Sequence, residues 1–304
     1  MSGKIKLNKQ GRFGSLFAYL QISDIILLLC LGVGFWFLSF NFHTDEHTAK
    51  NVFLTSWLWN WFTLELPEYL LIKQADGTFK LGVLGVGLFN TLKVSFFASF
   101  LAFLVGALIT FGRFSGLKFL VMYLNSYVSL VRNLPPLVFL LVLHFFFSIH
   151  FLPSLSEFKV LSWLNLEHTQ NLNFISAVLA LSLYEAAYIS EILRGAMSAV
   201  SPGQWQGAYS LGLGRFTCLR KIILPQAFRY SLPSLSGQLI SLVKDSSILS
   251  IISIQELSFQ ATERMASSHK VSELWLGVAF LYLIVNLTLS FISKRLERSF
   301  KWQI

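Results

Sequence analysis

The stretch Gly203 to Pro225, GQWQGAYSLGLGRFTCLRKIILP, is a polar and basic island between two long apolar segments, and the reading of the whole chain turns on it. Leu211 ends one short helical run, Gly212 can supply the φ > 0 turn that other residues resist, and Leu213 to Ile223 start a second run. The stretch therefore predicts a bent helix pair. Trp205, Ala208, Leu211, Phe216 and Leu219 offer apolar contacts, while Arg215, Arg220 and Lys221 place positive charge beside them. Such a surface suits a protein partner.

The segments on either side are of membrane type. Hydrophobic residues make up 54% of the 304 residues and charged residues 13%, with a mean hydropathy of +0.62, far from an ordinary soluble domain. Apolar runs near bilayer-spanning length are Ile22 to Phe42, Leu84 to Phe111, Pro135 to Phe151, Phe174 to Met197, Leu232 to Ile254 and Leu274 to Ile292. They predict an all-α, polytopic membrane protein of about six transmembrane helices. The runs lack the alternating rhythm of a β-barrel.

A net charge of +9 invites a nucleic-acid reading, but the charge follows the membrane instead. Lys4, Lys6, Lys9 and Arg12 precede the first run, Arg113 and Lys118 follow the second, and Lys294, Arg295, Arg298 and Lys301 follow the last. By the positive-inside rule both termini and the Gly203 to Pro225 loop are expected in the cytoplasm. Asp45, Glu46, Glu65, Glu68, Asp76, Glu157, Glu167, Glu263 and Glu273 fall in the alternate loops. The first run lacks an A-x-A type cleavage site and reads as a retained anchor. Cys30 and Cys218 are expected at different depths, so no disulfide framework follows. Trp57, Trp59 and Trp61 mark Asn51 to Leu64 as an interfacial helix on the outer surface, ended by Glu65-Leu66-Pro67-Glu68.

The spacing within the opening stretch resembles the loop shared by permease subunits of ABC importers: E-A-A, three residues, Gly, nine residues, then I-x-L-P. Here the same intervals hold Gln206-Gly207-Ala208, Gly212 and Ile222-Ile223-Leu224-Pro225, with Gln and Gly where the family has Glu and Ala. Three further segments look like the amino-acid branch of that family. Gly87 to Leu92 fits G-x-x-x-T-L; Arg132 to Val138, RNLPPLV, is similar to R-G-T-P-L-L-V; and Ala187 to Gly195 fits A-Y-x-x-E-x-x-R-G. Leu242 to Ser247, LVKDSS, is similar to L-L-K-D-T-S, so the likeness covers about Gly82 to Lys301. Independently of any family, Pro135 and Pro136 break the helix that begins near Phe119, and Glu191 and Arg194 are placed for an i,i+3 ion pair.

The resemblance implies a five-helix permease core over residues 82–293 with one added N-terminal helix over 22–42. The rest divides into basic cytoplasmic tails over 1–21 and 294–304 and an extracytoplasmic loop over 43–81. The loop over 203–225 would then couple to a separate ATPase through Gln206, Gly207, Ala208, Gly212, Arg215, Leu224 and Pro225. Glu191 and Arg194 would stiffen the helix that leads into it. No G-x-x-x-x-G-K-[ST] phosphate loop occurs in the chain, so ATP and magnesium are expected on partner ATPase subunits and no cofactor on this chain. The resemblance also implies a second permease subunit, an extracytoplasmic substrate-binding protein, a bacterial cytoplasmic (inner) membrane, and no covalent chemistry by this subunit.

Charges at membrane depth are the expected pathway residues. Lys93, Glu185, Glu191, Lys244 and Asp245 lie inside predicted spans, where an unpaired charge costs about 2.5–3.5 kcal/mol. Glu185 is placed either to read an ammonium group of an amino acid or to pair with Lys244 or Lys93; Tyr184 and Ser246 are its expected polar neighbours. Two other functions compete. His43-Thr44-Asp45-Glu46-His47 fits the H-x-x-E-H pattern of a metallopeptidase, but no third ligand or enclosing domain accompanies it, and no metal is expected. A secondary transporter or channel not driven by ATP would need repeated halves with corresponding broken helices, and none is visible in the sequence.

Overall fold

The computed structural model of the chain describes residues 66–73, 79–150, 168–268 and 270–300. A short helix α1 (Leu66–Leu70) runs into a two-stranded antiparallel hairpin, β1 (Leu71–Lys73) with β2 (Phe79–Leu81), registered Leu71 to Leu81 and Lys73 to Phe79. Then follow α2 (Val83–Arg113), α3 (Lys118–Asn133), α4 (Pro136–His150), α5 (His168–Ser198), α6 (Pro202–Ser210), α7 (Arg215–Cys218) and a π-helical turn (Leu219–Ile223). The remainder is α8 (Leu224–Asp245), a 3-10 turn (Ser246–Ile252), α9 (Leu257–Ser268) and α10 (Val271–Phe300).

Among the described residues, four helices are long and apolar enough to cross a membrane. They are Val83–Arg113, Asn173–Ser198, Arg215–Ile252 and Val271–Ser299, and α3 with α4 adds a fifth if that bent pair is one span. The expected first helix over 22–42, the tryptophan-rich segment over 51–64 and the HTDEH motif lie outside the described residues. Leu66 opens a short helix, and α10 carries through the basic segment beyond its apolar run to Phe300. Charged side chains end an apolar run without ending a helix, because Lys, Arg and Glu are good helix formers.

The break between α3 and α4 has its cause in the local chain. Leu134, which precedes Pro135, sits in the extended region (φ −91°, ψ 142°), as the proline ring demands, and Pro136 is the first residue of the next helix. The two helices meet at a bend of 117°.

The hub of the bundle is α5, whose spanning window is 67% buried against 17% for α10. It crosses α2 along a row of small residues: Ser95, Ala98, Ala102, Gly106 and Thr110 are all buried on α2, facing Ala177, Ala180, Ala186 and Ser190. Close helix approach through small side chains replaces the hydrophobic driving force that lipid does not supply. A methyl group on Gly106 would stand 2.8 Å from Ile189 Cγ2, which fixes how near the helices lie.

Candidate functional site

The Gly203–Pro225 stretch folds as a helical hairpin whose turn is closed by backbone hydrogen bonds. Ser201 caps α6 by accepting from the Gly203 amide at 3.3 Å, and Pro202 stands in the first turn, where its missing N–H costs nothing. At the other end Gly212 has φ 73°, the Leu213 amide donates to Ala208 O at 3.1 Å and the Gly212 amide to Tyr209 O at 2.9 Å. This is a Schellman closure with its glycine in the left-handed position. The helix after the turn starts at Arg215 rather than at the expected Leu213, with Gly214 extended before it.

The two faces of the hairpin differ. Inward, Ala208, Cys218 and Ile223 are buried with Ala196 and Met197 from the end of α5 and Val200 just after it, and Trp205 and Leu219 pack against them. Arg215 donates to Phe114 O at 3.2 Å, tying the hairpin to the end of α2. Outward, Leu211 is 80% and Phe216 73% exposed, with Tyr209 beside them. Trp205, Ala208 and Leu219, expected on the contact surface, instead hold the hairpin to the bundle. Gln206 and Gly207 are exposed, and a methyl group on Gly207 would meet nothing within 4 Å. Leu224 and Pro225 open α8 directly after the π turn.

One turn of α5 before the hairpin carries the ion pair foreseen in the sequence, together with a partner that was not. Glu191 Oε1 accepts from Arg194 Nε at 2.9 Å, while Oε2 accepts from Arg113 Nη1 at 2.9 Å. Arg113 also donates through Nε to Asn125 Oδ1 at 2.6 Å, so α2, α3 and α5 are joined through one guanidinium. Arg113 was read only as a topology signal; its pairing across 78 positions leaves no local trace in sequence.

Deeper in α5, Glu185 is completely buried. Its Oε2 accepts from Gln238 Nε2 on α8 at 2.6 Å, and the Asp245 carboxyl group stands within hydrogen-bonding reach of the Glu185 carboxyl group. The expected ion pairs do not form: Lys93 lies over the Phe174 ring at 5.0 Å, and Lys244 is exposed. Neighbouring helix positions point about 100° apart, so Lys244 turns away as Asp245 turns in. The Tyr184 hydroxyl meets that of Tyr188 at 3.0 Å, and the Ser246 hydroxyl donates to Val243 O at 2.7 Å. The structure thus joins Glu185 and Asp245, and spends Tyr184 and Ser246 on other partners.

At the opposite end of α2, the Thr91 hydroxyl accepts from the Leu257 amide at 3.0 Å, and a methyl group on Gly87 would stand 2.9 Å from Leu257 Cα. Buried Glu256 caps α9 through the Phe259 amide at 2.7 Å and accepts from the Tyr282 hydroxyl at 2.9 Å. Burial raises its carboxyl pKa, against the pull of the Ser258 and Phe259 amides and the Tyr282 hydroxyl. Gln238 and Glu256 went unmarked in the sequence. Among the described residues no group of three or more His, Cys, Asp or Glu is placed to hold a metal.

Residues 102–302 match the family described as the binding-protein-dependent transport system inner membrane component. The chain is 41% identical over 128 residues to the glutamine transport system permease of Escherichia coli, covering 42% of this chain and 58% of that one, so it spans a little over half of that relative. With the L-cystine transport system permease of Bacillus subtilis it is 32% identical over 217 residues, covering 71% of this chain and 86% of the relative. Among solved structures, an amino acid ABC transporter crystallised with histidines superposes with a TM-score of 0.60 at 29% identity, over 71% of this chain and 94% of that one. An inward-facing methionine ABC transporter gives 0.58 at 18% identity, over 72% and 97%, a likeness of fold. The chain belongs to the binding-protein-dependent transport inner membrane component family.

Proposed function

We propose that this chain is the permease subunit of an ATP-driven ABC importer for polar amino acids, cationic ones included, in a bacterial cytoplasmic membrane with both termini inside. Two such subunits, identical or homologous, enclose the pathway. Two ATPase subunits carrying ATP and magnesium dock on the Gly203–Pro225 hairpins, and an extracytoplasmic binding protein delivers substrate. The subunit performs no covalent chemistry; it converts nucleotide-driven motion of its partner into alternating access. The observation that carries this reading is the two-faced hairpin: its inner face is locked to α2 and α5, and its tip offers Tyr209, Leu211 and Phe216 outward. A push on the tip reaches the bundle without being lost in a flexible loop. The test is reconstitution with an ATPase subunit and a binding protein, reading ATP hydrolysis as amino acids are varied. Stimulation by polar amino acids is expected, and Leu211→Asp should abolish ATPase association. Ion-gradient-driven uptake without any ATPase would overturn the reading in favour of a secondary transporter.

The pathway proposal rests on Glu185. A buried carboxyl group with a second one beside it and no cation between them is a site for an ammonium or guanidinium group, because two neighbouring acids ionise only at a cost that an arriving cation offsets. Glu185→Gln is expected to lower uptake of cationic amino acids about tenfold, the loss of one charge-assisted hydrogen bond, with less effect on neutral ones. Equal effects on all substrates would remove Glu185 from substrate recognition.

A further inference from the structure

The end of the bundle nearest the hairpin holds a cavity of about 710 Å³ between the end of α2, one face of α3 and the last turns of α5. Its charged lining is Arg113, Arg132, Arg194 and Glu191, two positive charges in excess. Glu191 cannot neutralise more than it already does, since one oxygen is taken by Arg194 and the other by Arg113. Arg132, among the described residues, makes no hydrogen bond; its guanidinium lies over the Tyr188 ring, 5.6 Å from the centroid. A guanidinium drawn to an aromatic ring by its charge spends no N–H donor on a polar partner, so its fork stays free for an acceptor.

We propose that this cavity is a binding site for a phosphate-bearing anion. A phosphate monoester carries about −1.5 to −2 charges near neutral pH, matching the excess on the lining. Arginine forks pair with phosphate oxygens in two-point contacts, so Arg132 and the free edges of Arg194 and Arg113 form the recognition surface. Ligand cavities commonly occupy about 300–1,000 Å³, so the space admits a phosphorylated solute or the headgroup of an acidic phospholipid rather than a bare ion alone. The site is separate from Glu185 and does not depend on the transport proposal. Occupancy adds anionic bridges between α3 and α5, at the point where the hairpin helices leave the bundle.

The test uses the full chain in neutral detergent, titrated calorimetrically with inorganic phosphate and with short-chain phosphatidic acid. Saturable binding of at least one probe is expected. Arg132→Gln should weaken it about tenfold, the value of one charge-assisted contact, while Arg132→Lys retains more than the glutamine variant. Inorganic phosphate binding would identify a soluble ligand, and binding of the lipid alone a headgroup. Arg132 has no polar partner to orphan, so its loss leaves the fold intact. In the unaltered chain, whichever probe binds should also protect Arg132 and Arg194 from phenylglyoxal. Absence of saturable binding by both probes, binding indifferent to Arg132→Gln, or no protection would overturn the proposal.

Discussion

Two carboxylates on the same helix, Glu191 and Glu185, have opposite surroundings. Around Glu191 both oxygens are taken up by arginines from α2 and α5, and the hairpin beyond is closed by the Gly212 and Leu213 amides on Tyr209 O and Ala208 O. Around Glu185 one oxygen is partnered by the Gln238 amide and the neighbouring ionisable group is another acid, Asp245, although the residue is the more deeply buried of the two. The difference separates rigidity from receptivity. The end nearest the hairpin pairs its acid with cations, whereas the middle of the bundle sets one acid against another without a cation.

The largest expected effect sets the two directly against each other. Glu191→Gln removes the charge that Arg113 and Arg194 share and leaves Arg113, whose side chain is only 12% exposed, without its counter-ion. Breaking a buried ion pair costs about 3–5 kcal/mol; because Arg194 is 41% exposed and keeps water, about 2–3 kcal/mol is the expected loss here. Glu185→Gln has no counter-ion to orphan and should leave stability within about 1 kcal/mol, the scale of one neutral hydrogen bond. Thermal unfolding of the two variants in the same detergent measures both. Equal destabilisation would end the contrast between a structural and a receptive carboxylate.

What the sequence made legible follows the same division. The i,i+3 spacing of Glu191 and Arg194, the double proline at Pro135-Pro136 and the turn at Gly212 are local, and local geometry is written in adjacent residues. The four described spans could be read from apolar runs, although the ends could not: α10 outlasts its apolar stretch because helix hydrogen bonding tolerates charged side chains in water. Arg113 beside Glu191, Gln238 beside Glu185 and Thr91 under Leu257 are joined only by folding, so their pairing was beyond reach. The strands β1 and β2, three residues each, are too short to show a period.

A smaller effect probes the stiff region at its turn. Gly212 sits at φ 73°, where a side chain branched at Cβ is disfavoured by about 1–2 kcal/mol. Space is not the obstacle, since a methyl group there would meet nothing within 4 Å; the cost is one of conformation alone. Gly212→Val should therefore loosen the closure between Ala208 and Leu213 while leaving the surroundings of Glu185 untouched. Pull-down of an ATPase subunit should weaken, and substrate ranking in whatever uptake remains should hold. A changed ranking would mean that the two regions are not separable.

The smallest effect runs in the other direction. Gly207 lies inside α6 with open space where a side chain would project, so Gly207→Ala adds helix propensity of up to about 1 kcal/mol without a clash. Gln206→Glu alongside it restores the charge that the family pattern carries at that position, on an exposed site where it neither breaks nor buries a contact. If docking rests on the shape of the hairpin and its apolar tip, the double variant should bind an ATPase subunit at least as tightly as the natural chain and lose little of that affinity in high salt. A gain that disappears as salt is raised would instead assign the contact to charge, because exposed ion pairs are screened within about 10 Å at moderate ionic strength. In that case Gln206, rather than Leu211 and Phe216, sets the strength of the joint, and stiffness of the turn matters less than the polarity of its first residues.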